Sequence, residues 1–246
     1  ETKIIAGNTF DFPFIHGKAI KSAGYSFVSS SDEAVMDGLI DLGKYKMVDL
    51  ILGEEKKTKW QKSFADSING IQFEAFPPKL QKVLTSYLDK GRNLFVSGAY
   101  IGSELFNGDE KSEDFAKNIL RFSLASKHAS KKGEVFSTKS SFMKNISGLK
   151  FNAEMNDSLY AVEAPEALSP ENGSETILRY KENQFSSATA YKKGYGIVAF
   201  GFPFETILRP EVRTEIMKAI IRYFGLWKKS RPPNLKLKEK SADSEV

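Results

Sequence analysis

Apolar positions recur at two different periods along this chain. In the first half, short apolar runs alternate with stretches at helical spacing. Lys3–Ala6 and Tyr25–Ser29 read as short strands. Met47–Leu52 is apolar on both faces, as a buried parallel strand would be. Phe14–Ala23 reads as a helix that stops at Gly24. Ser31 or Asp32 is placed to cap a short helix through Asp37. Pro78–Lys90 opens on proline, carries Leu80, Val83, Leu84, Tyr87 and Leu88 at helical spacing, and ends at Gly91. Strand Asn93–Val96 follows. This β-α-β-α-β order predicts a parallel sheet with right-handed crossovers.

The second half has a different rhythm. Ser112–Lys127 reads as a helix, then Glu134–Thr138, Thr176–Tyr180, Ser187–Tyr191 and Ile197–Phe200 as strands. Turn residues separate them, as in Pro170–Ser174, which predicts an antiparallel extension. The run Tyr191–Gly196 lacks phosphate-loop spacing and reads as a hairpin turn. Pro210–Phe224 is a closing helix with Val212, Ile216, Ala219, Ile220 and Phe224 on one face. The expected division is an α/β domain over residues 1–227 and a basic tail over 228–246.

Composition narrows this picture. Of the 246 residues 41% are hydrophobic and 27% charged, the mixture of a core-forming chain. No apolar run reaches the ~18 residues of a membrane span. The net charge is +5, but residues 228–246 contribute three of those charges, so the basic balance does not predict nucleic-acid binding. Cysteine is absent, which removes Cys nucleophiles, disulfides and Cys-ligated zinc, and fits an exported protein. The chain begins at Glu1 without a leader, as expected of a processed protein or an excised domain. No cofactor or metal is expected.

The most informative chemistry lies at Gly98-Ala99-Tyr100-Ile101-Gly102. A strand running into G-x-nucleophile-x-G forms a strained elbow that presents its middle side chain. Serine or cysteine normally stands there; here it is Tyr100, whose hydroxyl has an ordinary pKa near 10.

With this elbow, five stretches resemble the class I glutamine amidotransferase-like superfamily, in particular a subgroup of exported bacterial proteins sometimes named xanthan lyase. They are Gly7–Asp11, Ala23–Phe27, Val48–Glu55, Asn93–Gly102 and Gly201–Glu205. The resemblance covers residues 1–227. It implies a three-layer, flavodoxin-like parallel sheet and a role beside polysaccharide or cell-wall modules of a larger exported protein. It also implies a carbohydrate or cell-wall ligand. The superfamily's cysteine is replaced by Tyr100, and no histidine stands in Gly201–Glu205, so its Cys-His-Glu machinery does not carry over.

In an open parallel sheet, ligands bind beyond the carboxyl ends of the strands. Segments Asn8–Asp11, Gly53–Glu55, Gly98–Gly102 and Gly201–Glu205 follow strands and are expected to converge there. The catalytic candidates are Tyr100, Glu54, Glu55 and Glu205; the ligand-binding candidates are Asn8, Asp11, His16 and Glu104. Such carboxylates can do acid/base work or bind sugar hydroxyls; equally, Glu54 and Glu55 can cap the next segment and Glu205 can anchor a loop. The Tyr100 hydroxyl is expected beside Glu54, Glu55 or Glu205. His16 suits a buried structural role or a catalytic one, and His128 the end of a helix. Gly53–Pro77, with Trp60, Phe64, Phe73 and Phe76, reads as a lid or an extra packed helix. Phe10, Phe12, Phe14, Phe202 and Phe204 are candidates for a sugar-stacking wall, though phenylalanine more often fills a core. Two functions remain: a non-catalytic or atypical module, or an active hydrolase or lyase using Tyr100 and nearby carboxylates.

Overall fold

The computed structural model describes residues 12–59, 71–155 and 159–226. The expected strand Lys3–Ala6, candidates Asn8 and Asp11, Phe10, Trp60, Phe64 and the tail 228–246 lie outside them.

The chain forms an α/β fold on a mixed six-stranded sheet. The elements run α1 (Phe12–Ser22), α2 (Asp32–Met36), β1 (Met47–Gly53), β2 (Thr58–Lys59), β3 (Ile71–Phe73), α3 (Pro78–Leu88) and β4 (Asn93–Gly98). Then come α4 (Ile101–Phe106), α5 (Glu110–Asp114), β5 (Phe122–Ser126), β6 (Val135–Ser137), β7 (Ala167–Pro170) and β8 (Glu175–Tyr180). The last are β9 (Ser186–Lys193), β10 (Tyr195–Phe200) and α6 (Pro210–Tyr223). The sheet order is β1-β4-β10-β9-β8-β6. β4 lies between β1 and β10 and is parallel to both. From β10 onward every pairing is antiparallel, the expected extension.

Alternation along β4 divides the core. Phe95 joins α1 and α6 on one face, whereas Leu94 and Val96 join α3, α4 and the helical turn Phe115–Leu120 on the other. Helix α3 starts at a proline and stops before Gly91, whose φ of 72° only glycine adopts at low cost. The β9–β10 hairpin turns at Gly194, as expected.

Three expectations need correction. Tyr25–Ser29 is not a strand. The Phe27 ring lies over Gly17, where a Cβ would come within 2.2 Å of it, so this segment crosses α1 instead of entering the sheet. Ser112–Lys127 is not one helix. α5 passes into a π-helical turn, and Arg121, at φ 66°, breaks it before β5 pairs antiparallel with β7. Arg121 is anchored there by its guanidinium, 4.6 Å from the Tyr191 ring centre and bonded through Nε to the Tyr195 hydroxyl at 2.7 Å. Third, β1 is half-buried at the edge of the sheet among the described residues rather than enclosed on both faces. In the Gly53–Pro77 connection β2 and β3 form a small antiparallel pair; Phe76 is buried against Phe115, and Phe73 is exposed.

Candidate functional site

The elbow stands where the order of elements predicts, directly after β4 and before α4. Gly98 eases the packing there, because a Cβ would lie 3.0 Å from both Leu52 and Ile101 and force them to give way. Tyr100 occupies the N-cap position of α4 at φ −125° and ψ 16°, a negative φ without left-handed backbone, and its side chain makes no capping bond. Its hydroxyl donates to Glu163 Oε2 at 2.7 Å and accepts from Lys56 Nζ at 3.2 Å. Glu163, rather than Glu54, Glu55 or Glu205, is therefore its acid partner. Lys56 also sits 4.6 Å from the centre of the Tyr100 ring. Burial and then the Glu163 carboxylate raise the phenol above its ordinary pKa, against the pull of Lys56. Such a hydroxyl donates a hydrogen bond and does not ionise for attack.

The backbone amides that open α4 are also occupied. The buried Glu166 carboxylate accepts from Gly102 N at 2.5 Å and Ser103 N at 2.9 Å. A substrate oxyanion would have to displace this internal anion.

The remaining carboxylates form two groups. Glu54 accepts from the Glu163 amide at 2.6 Å and shares its field with Glu163, Lys56 and Glu205; burial chiefly raises its pKa. Glu55 instead faces Asp32, Glu33 and Glu104. Burial, then those three charges, push it up to about 7. Glu104 is raised by burial, against hydrogen bonds from the Lys57 and Ala75 amides.

Beneath this crevice lies a buried relay that crosses four parts of the fold. His16 on α1 places Nδ1 2.9 Å from Asp49 Oδ2 on β1 and Nε2 3.2 Å from Glu205 Oε2 after β10. The Tyr160 hydroxyl donates to the other Glu205 oxygen at 2.7 Å. Burial pulls the His16 pKa down, but Asp49 and Glu205 outweigh it and raise the pKa to about 9. Both ring nitrogens then carry protons and donate, which leaves His16 no lone pair for base catalysis. Burial and Glu205 raise the Tyr160 phenol far above its ordinary range.

Glu205 and His16 thus come together, whereas Glu55 and Glu104 stand apart from them. Phe202 and Phe204 fill the core instead of forming a wall. Phe202 stacks on Phe151 at 4.9 Å, and Phe204 meets the His16 ring at 4.7 Å. His128 ends no helix; it follows β5 at φ 50°, with Nδ1 3.3 Å from the Glu163 carbonyl oxygen. Sequence reasoning missed Asp49, Lys56, Tyr160, Glu163 and Glu166. Asp49 had left a signal, as the one acid inside the apolar run Met47–Leu52. Among the described residues, no cluster of His, Asp and Glu is arranged to hold a metal ion. No helix there is long and apolar enough to cross a membrane.

No family model matches the chain, and no curated protein does. A solved structure of a cytoplasmic protein from Salmonella typhimurium aligns over 83% of this chain and 77% of its own, at 11% identity and a TM-score of 0.40. That likeness is too slight to carry an argument.

Proposed function

We propose that this chain is a non-catalytic, amidotransferase-like module of an exported bacterial protein. Its core is the flavodoxin-like part of that fold, and it supports polysaccharide or cell-wall processing by binding rather than turnover. One observation carries the reading: the side chain at the nucleophile's place is a tyrosine clamped between Glu163 and Lys56. Glu166 on the α4 amides supports it, as does a His16 whose two nitrogens both face carboxylates. The elbow remains as a rigid turn without an activated group.

One observation favours the competing reading, a hydrolase or lyase that uses Tyr100 and nearby carboxylates. Glu55 is pushed up to about 7, where a carboxyl group exchanges its proton at neutral pH. Incubation of the purified protein with a panel of polysaccharides and with glutamine decides between the two. The expected result is no product from any substrate. Turnover that disappears in Tyr100→Phe or Glu55→Gln would establish the enzyme instead.

A further inference from the structure

At the sheet edge opposite the crevice, a cavity of about 290 Å³ opens at the amino ends of the parallel strands. Lys46 precedes β1, Arg92 precedes β4, and Lys192 lies near the end of β9; all three line the cavity, beside Tyr195, Phe224 and Leu226. Among the described residues, no carboxylate lines it.

Part of this cationic lining has a structural use. Lys192 Nζ donates to the Tyr223 carbonyl at the end of α6, and Arg92 Nη2 donates to the Gly43 carbonyl at 3.0 Å. Each bond occupies one donor of three in lysine or of five in arginine. Arg92 Nε is buried without a partner among the described residues. None of the three cations forms an ion pair among those residues. Lys46 is exposed, and among the described residues its side chain makes no such bond. Three cations from separate elements thus share one cavity, none of them held in an ion pair among the described residues. Walls of one charge sign concentrate counter-ions, so this lining attracts anions.

We propose that this cavity binds a uronate unit of an acidic glycan. The carboxylate meets Lys46, Arg92 and Lys192, and the sugar's apolar face lies against Tyr195, Phe224 and Leu226. Those apolar surfaces favour a sugar acid over inorganic phosphate, which needs only charge. The volume suits a single sugar unit, so longer chains would pass out of the cavity. This rests on the reading of the module as a polysaccharide binder and names the ligand class.

Calorimetric titration of the full chain with trigalacturonate tests it, with maltotriose as the neutral probe and phosphate as competitor. Trigalacturonate should bind, more weakly as salt rises, while maltotriose should not. Lys46→Glu should weaken binding by roughly tenfold or more, and Lys46→Gln by less, both with an unchanged circular dichroism spectrum. Lys111→Glu, at an exposed residue of α5 that is not among the cavity's lining, should leave the affinity as it was. Equal binding of maltotriose, displacement by equimolar phosphate, or full affinity in Lys46→Glu would overturn the assignment. Absence of trigalacturonate binding would also overturn it and leave the non-catalytic reading standing. Turnover of a neutral polysaccharide would overturn that reading alone.

Discussion

His16 has no ring nitrogen to spare, and that fact organises the chemistry at the residue scale. Asp49 and Glu205 hold both N–H groups and raise the imidazole from 6.5 to about 9. The folded state therefore binds the proton more tightly than the unfolded chain. The resulting stability is complete below pH 6.5 and lost as pH rises to about 9, a fall on the order of 3 kcal/mol. Glu55, raised to about 7, acts in the same direction at lower pH, because its folded form also holds the extra proton. Urea midpoints measured from pH 5 to 9.5 should fall throughout, and a midpoint flat above pH 6.5 would contradict the charged His16. His16→Ala leaves two buried carboxylates without their counter-charge and should cost about 3–5 kcal/mol in the same assay. Tyr100→Phe removes only a partly exposed contact and should change stability by no more than about 1 kcal/mol.

At the scale of elements, the junction of β4 and α4 depends on close approach more than on propensity. Gly102 lets the Glu166 carboxylate reach the helix amides; an added Cβ would lie 2.9 Å from both Glu166 Oε2 and Leu124. Gly201 is tighter, since its Cβ would meet the Glu166 carbonyl at 2.1 Å. Gly201→Ala should therefore destabilise more than Gly102→Ala, as read by thermal melting. Glu166→Gln loses charge-assisted bonds to the Gly102 and Ser103 amides and should cost about 1–3 kcal/mol. A second junction, between the π-helical turn and β5, shows why Ser112–Lys127 misled. Its apolar spacing is helical through Leu120, but Arg121 finds the Tyr191 and Tyr195 rings only in the folded chain.

At the scale of the whole molecule, the sheet is most enclosed where parallel pairing gives way to antiparallel. β4 and β10 each have a neighbour on both sides and bury nearly every side chain. Hydrogen exchange should be slowest at Leu94–Val96 and Val198–Phe200, and among the described residues fast at Tyr25–Ser29, which joins no sheet. Faster exchange in β4 than in β1 would contradict this order of enclosure.

Local rules sufficed for much of the architecture. The proline and glycine that bound α3, the Ser31 cap, the β9–β10 hairpin and the closing helix α6 each follow from neighbours in sequence, and so appear in the sequence. The elbow after β4 was legible too, because the end of a central strand sets where such a turn stands. Tertiary structure decided the partners. Glu163 reaches Tyr100 across 63 residues, Glu166 reaches Gly102 across 64, and Glu205 reaches His16 across 189. No periodicity encodes such distances, since a carboxylate's partner depends on which loops cross above the sheet. It also made Phe202 and Phe204 core rather than surface. Apolar character says only that a ring will be buried; the fold decides against what.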